Sequence, residues 1–309
     1  MLFYEVILSI FLLLVIWIMN NKELKAHIVL LDDTDENVYQ SIIDNLINEG
    51  SSIIPFLEEE WERSNNELVH KRIESIISEI QFLDTKKALF NWISFGGNDI
   101  IEGAFIIAKH RYPALELSEI EDKIEHLRNS AWLEIHDNLT ALEKVRVLNH
   151  VFFSIEKFKG QRNYGSDLKS TYINTALSNK KGSPITLSII YLAVAQRLGI
   201  PIKGVNLINN FILAYVDKVS AKIAYPENTN DVLFYINTFN RGSVFDYKEI
   251  DTYLEQLKVE KKEKFYNPIS NIEVIRNMIL ELIKIADVKK KTDLKEQLKE
   301  LYQITIDKD

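Results

Sequence analysis

Cysteine is missing from this 309-residue chain, and with it go disulfide scaffolding, thiolate metal sites and every mechanism that needs a cysteine nucleophile. Glycine and proline are scarce, at 10 and 6 residues. A collagenous or disordered chain would need far more of both, and a small secreted disulfide scaffold would need cysteine. What remains is an ordered, helix-leaning globular composition, 46% hydrophobic and 27% charged. Positive charge is also short, with 37 Lys and Arg against 45 Asp and Glu, a net charge of -8. Phosphate neutralisation needs a basic face, so a general nucleic-acid binder is excluded. The deficit is local: Asp32 to Glu62 holds ten Asp and Glu and no Lys or Arg, a net charge of -10 against +2 for the rest.

Leu2 to Met19 reads LFYEVILSIFLLLVIWIM, with Glu5 and Ser9 its clearly polar members. As a helix it spans roughly 27 Å, enough for a bilayer core. It lacks the basic start and small-residue cleavage site of a signal peptide. Lys22 and Lys25 follow it and, if it inserts, the positive-inside bias keeps the remaining chain cytoplasmic, tethered to an inner membrane. A buried core helix, or a true start at Met19, are the competing accounts, and the Met19 start also leaves the globular part cytoplasmic.

From Glu36 the apolar residues recur at helical spacing: Val38, Ile42, Ile43, Leu46 and Ile47, then Ile53, Ile54, Phe56, Leu57 and Trp61. Leu68 to Ile80 and Leu83 to Ile93 predict a second helix pair, closed by Gly96 and Gly97. The two pairs resemble HEAT-type repeats. Asp32, Asp33, Asp35 and Glu36 lack the glycine and terminal glutamate of a calcium loop and are expected as helix-start acids. Glu58, Glu59, Glu60 and Glu62 form an acidic face, either solvated or a dock for a basic protein or peptide partner. Six histidines stand at 27, 70, 110, 126, 136 and 150, none at a recognised metal spacing, so neither metal nor cofactor is expected. Further helices are predicted at Asp99 to Arg111, Ser118 to Ile135 and Thr140 to Phe153, the last opening on a Thr140/Glu143 capping box.

The stretch from Tyr172 reads YINTALSNKKGSPITLSIIYLAVAQRLGIPIKGVNLINNFILAYVD. Ser183 and Pro184 mark the start of a helix that is apolar nearly all round, so a buried central helix is predicted, stopped by Gly199 and Pro201. Ile202 to Leu207, Phe211 to Val216 and Val232 to Ile236 read as strands before a turn at Asn240-Arg241-Gly242. The phrases K-K-G-S-P-I-T-L, R-L-G-I-P-I-K-G-V, N-F-I-L and F-Y-I-N-T-F-N-R-G, in this order, resemble the transglutaminase-like superfamily. They match its bacterial branch, which has K-G-x-P-I-[ST]-L where others have a G-x-C nucleophile turn.

That resemblance implies a papain-like core and a mechanism using a thiolate, a histidine base and an orienting aspartate. Carried onto this sequence, the thiol position falls on Pro184, the histidine on Asn210 and the aspartate on Asn237. None supplies the chemistry, and no histidine follows His150. Ser183 is the fallback nucleophile but needs a base, for which Asp217, Glu227 and Asp231 are the nearby acids. The resemblance therefore implies a catalytically inactive binding or scaffold protein, with Ser183, Asn209, Asn210 and Asn237 lining what is left of the cleft. The structural account of those amides is that they satisfy turns. The alternative is an amide-processing hydrolase or transferase using unconventional residues.

The tail predicts a helix over Asp246 to Leu257, then a pair over Asn271 to Ala286 and Lys291 to Tyr302, tetratricopeptide-like or simply packed on the core. The expected fold is α+β and mostly helical. It comprises a hydrophobic segment at 1–19, a HEAT-like region at 22–155, a transglutaminase-like core with a small antiparallel sheet at 156–250, and a helical tail at 251–309.

Overall fold

Apolar spacing of three and four residues becomes helix along most of the chain, and the computed structural model describes residues 26–28, 30–33, 35–226 and 230–307. Leu2 to Met19 and Glu227 lie outside them. Among the described residues no helix is long and apolar enough to cross a membrane. The protein is mixed α+β and mostly helical. It divides into two compact units, Met1–Thr85 and Lys86–Asp309.

In the first unit, α1 (Glu36–Asn48) begins where the Asp35 carboxylate accepts the Asn37 backbone N–H at 2.9 Å, the role expected of these acids. Helix α2 (Ile54–Arg63) carries Pro55 in its first turn, where a missing N–H costs nothing. Leu31, Leu46, Ile53, Leu57, Ile73 and Ile76 form the buried core. The break expected between Ile80 and Leu83 is absent, because α3 runs unbroken over Glu67–Ser94. No glycine or proline interrupts it, and Thr85 bonds back to the Gln81 carbonyl at 2.8 Å without leaving the helix.

The second unit begins within α3 and continues with α4 (Ile100–Arg111), α5 (Leu117–Trp132) and α6 (Ala141–Asn149). The Thr140/Glu143 capping box opens α6, and one π turn, His150–Ile155, prolongs it. Strands β1 (Lys159–Gly160) and β2 (Lys181–Gly182) then form a short parallel pair that the sequence pattern did not predict, flanking α7 (Ile173–Asn179). Helix α8 (Pro184–Arg197) is buried at every residue from Pro184 to Ala195, as its all-round apolarity requires. Burial contributes roughly 1.5 to 3 kcal/mol for each large apolar side chain of this helix.

Beside α8 lies an antiparallel sheet in chain order: β3 (Ile202–Val205), β4 (Ile212–Val216), β5 (Val232–Asn237) and β6 (Ser243–Phe245). The first three match the expected strands, and β6 follows the Asn240-Arg241-Gly242 turn. The alternation of side chains gives the sheet two apolar faces. Val205, Ile212, Ala214 and Tyr235 pack with Ile250 and Leu254 of α10 (Tyr247–Gln256), while Leu213 and Ile236, also fully buried, point the other way, towards α8. Helix α9 (Lys218–Ala224) joins β4 to β5. The tail is the expected pair, α11 (Asn271–Val288) and α12 (Thr292–Ile306), with α11 packed on α4 and α8.

Candidate functional site

A helix start leaves backbone N–H groups without partners, and in α8 Ser183 supplies the answer. Its hydroxyl oxygen accepts from the Thr186 N–H and lies 3.1 Å from Thr186 Oγ1, and the residue is completely buried. Thr186 in turn donates to the Thr171 carbonyl at 2.9 Å, and the Ser183 N–H donates to the Ser170 carbonyl at 2.9 Å. The approach is therefore closed on the side of the 168–171 turn by backbone and hydroxyl bonds.

The cluster is completed from far along the chain. Glu281 of α11 accepts the Thr171 hydroxyl at 3.0 Å, and the Ser183 hydroxyl lies near enough to favour its ionised form. Burial drives its carboxyl above the ordinary range, against the opposing pull of the Ser183 and Thr171 hydroxyls and of Lys284. Tyr164 stands beside it, its phenol raised by burial, by Glu281 and by Tyr253. Chemically, Ser183 with Glu281 is a hydroxyl with a carboxyl in reach, and no imidazole joins them. Asp217, named from sequence as a nearby acid, instead caps α9 through Val219 and Ser220, and those bonds hold its carboxyl below the usual range.

The asparagines sit in turns. Asn209 is exposed at φ 55° in the β3–β4 loop, and Asn210 Oδ1 accepts the Phe211 N–H at 2.9 Å. Tyr253 fixes that loop by donating to the Ile208 carbonyl at 3.1 Å. Asn237 Oδ1 accepts the Asn240 N–H at 3.1 Å. Antiparallel pairing puts the start of β4 and the end of β5 at one end of the sheet, so Asn210 and Asn237 share that end. Ser188 Oγ lies 2.8 Å from Thr238 Oγ1, which ties the same end to the early turns of α8. Asn210 and Asn237 thus share one end of the sheet, tied to α8 through Ser188 and Thr238, while the Ser183 hydroxyl is bonded to Thr186.

Other motif residues prove to be struts. Lys180 adopts φ 54°, pairs with Glu156 at 2.7 Å and covers the Phe158 ring at 4.6 Å. Arg197 of R-L-G-I-P reaches Glu125 at 2.7 Å and Glu121 at 3.6 Å. Among the described residues no group of three His, Asp or Glu side chains is placed to hold a metal ion.

With these positions fixed, the profile of the transglutaminase-like superfamily matches residues 118–280, more than half of the chain. The chain belongs to that superfamily. Its match takes in α5, the β1–β2 pair, α8, the whole sheet and α11 up to the residue before Glu281. Among curated relatives, the transglutaminase-like chain is similar to the UPF0162 protein of Xylella fastidiosa strain Temecula1, 25% identical over 155 residues, covering 49% of this chain and 50% of that protein. It is also similar to the UPF0162 protein YchA of Escherichia coli K12, 27% identical over 164 residues, 52% of this chain and 56% of that one. A third relative is the F-box only protein 21 of Mus musculus, 26% identical over 141 residues, 45% of this chain but 21% of the mouse protein. The chain thus spans about half the length of the bacterial relatives and about a fifth of the mouse one. No solved structure matches it.

Glu281 is the site residue that sequence reading missed. Its signal was available: Val274, Met278 and Ile285 form one stripe of α11, and Glu281 occupies the place between Met278 and Ile285 where an apolar residue belongs.

Proposed function

We propose that this transglutaminase-like chain has no thiol-type catalysis and acts as a binding or scaffold protein. The observation that carries this reading is the state of Ser183, the hydroxyl nearest the family's nucleophile turn: it is completely buried and bonded to Thr186. Pro184, Asn210 and Asn237 supply neither nucleophile, base nor a charged orienting group. Binding then falls to the amides Asn209, Asn210 and Asn237, through hydrogen bonds to an extended peptide or amide side chain. A second surface is the acidic face of Glu58, Glu59 and Glu60, which suits a basic protein partner. Partner capture from lysate that survives the E58Q/E59Q/E60Q triple variant removes that face from the proposal.

One observation favours a second reading, an amide-processing hydrolase or transferase: the Glu281 carboxyl is in reach of the Ser183 hydroxyl. Turnover of a panel of glutamine-containing peptides by the purified chain, abolished by Ser183→Ala and by Glu281→Gln, establishes the enzyme and overturns the binding protein. No turnover is the expected result. Location belongs to the same proposal: a cytoplasmic chain tethered through Leu2 to Met19. Chains starting at Met1 are then expected in the membrane pellet and chains starting at Met19 in the supernatant.

A further inference from the structure

Basic residues gather in one stretch of this acidic chain: Glu156 to Lys181 holds six Lys and Arg against two acids, a net charge of +4. Of the six, Lys180 pairs with Glu156, while Lys157, Lys159, Arg162, Lys169 and Lys181 are exposed and, among the described residues, make no ion pair. Parallel pairing sets Lys159 of β1 directly beside Lys181 of β2, a like-charge pair that works against the ladder. Lys181 also lines a pocket of about 310 Å³, at the lower end of the range for small-molecule sites, together with Gln161, Asp167, Lys169, Ser170 and Asn179. All six lining residues are polar.

Local bonds hold the walls in place. The Gln161 N–H donates to the Gly182 carbonyl at 2.9 Å, which fixes the end of β1 against β2. On the facing turn the Asp167 carboxylate accepts the Lys169 N–H at 3.1 Å, the Ser170 hydroxyl donates to the Asp167 carbonyl at 2.8 Å, and the Thr175 hydroxyl donates to the Lys169 carbonyl. Asp167 keeps its full negative charge, so the lining holds two cations and one anion, and Lys159 adds a third cation alongside. The balance is positive. Glu156 is matched by Lys180, and Glu281 is buried against Thr171, outside the lining.

A pocket without an apolar wall recognises a ligand by its polar head alone. A carboxylate, with two oxygens in one plane, is best met by an arginine fork, and the lining has none. A phosphoryl group carries more charge and three oxygens that accept from several directions, which suits two lysine point charges and the side-chain amides of Gln161 and Asn179. We infer that this pocket binds a phosphate monoester through its phosphoryl group, with Lys169 and Lys181 on the oxygens, Gln161 and Asn179 donating beside them, and Lys159 adding charge at the margin. The pocket adjoins the Ser183 turn through the Ser170 carbonyl but shares no residue with the binding reading proposed above, so either can fail without the other.

The test follows backbone amide NMR shifts of the full chain during titration with glycerol 3-phosphate, with an acetylated Gly-phosphoserine-Gly tripeptide, and with acetate as the carboxylate control, at ionic strength held constant with sodium chloride. Saturable shifts centred on Lys169, Ser170 and Lys181 are expected with both phosphate monoesters and not with acetate. The tighter of the two identifies the source, a free phosphorylated metabolite or a phosphorylated partner. The K169M/K181M double variant is expected to weaken both at least about fivefold, and K159M by a smaller factor. K169R/K181R, which keeps the charge, is expected to keep binding, and a melting curve for each variant separates lost charge from lost fold. Absence of saturable binding, an equal response to acetate, or a K169M/K181M chain that binds as well as the parent overturns the proposal.

Discussion

Glu281 stands in an apolar stripe, where it accepts the Thr171 hydroxyl and has the Ser183 hydroxyl nearby, and this arrangement has a pH signature. Burial raises its folded-state value above that of the unfolded chain. Its contribution to stability is therefore complete below the ordinary carboxyl range and is lost as pH rises through the folded value. The melting temperature is expected to carry a downward component as pH rises above the ordinary carboxyl range, and Glu281→Gln is expected to remove it and melt higher at neutral pH. Parallel melting profiles for the two chains would count against the cluster. Ser183→Ala removes the α8 cap and one of those hydroxyls, and is expected to cost about 1 to 2 kcal/mol in urea unfolding. Both partners were present in the sequence, Ser183 as a helix start and Glu281 as a polar interruption. Their meeting was not legible, because periodicity reports which face a residue is on and not what that face meets.

At the scale of elements, the turn after β5 shows why N-R-G stands there. Gly242 has φ 71°, and a Cβ there would lie 1.9 Å from Asn149 Oδ1. Asn149 donates to the Gly242 carbonyl at 2.8 Å and accepts the Tyr191 hydroxyl at 3.1 Å, so the turn is clamped to both α6 and α8. Gly242→Ala is expected to destabilise by about 2 to 4 kcal/mol through backbone strain and loss of the clamp, read from the urea midpoint. Asn149→Ala is expected to lose the clamp without the strain, and so to cost less. The long helices and β3 to β5 were legible because each carries enough residues to display its period. Strands β1 and β2, two residues each, carry no period at all, and α3 reads as two helices because its apolar stripe shifts face between Ile80 and Leu83, although no residue there breaks its backbone.

For the molecule as a whole, the acidic stretch Asp32 to Glu62 also supplies Leu46, Ile53 and Leu57 to the apolar core of the first unit. Ile76 is fully buried in that core. Ile76→Ala is expected to cost about 2 to 5 kcal/mol there, as any unfilled core cavity does. In hydrogen exchange, protection is expected to fall in α1 and α2 and to hold in α8. Equal losses in both units would mean that they unfold as one. The first unit's helices were predictable from pattern. The place where the units divide, inside an unbroken helix, was not, because the sequence of α3 changes no local rule at Thr85.

The bond from Thr171 to Glu281 joins residues 110 positions apart. A contact of that span is late in any folding order, since the loop must close before the bond can form. On the ribosome, the start of α8 is made long before its carboxyl partner, so a nascent chain that has passed β6 still holds Ser183 and Thr171 without Glu281. The Thr171–Glu281 bond therefore closes only once α11 has emerged and docked.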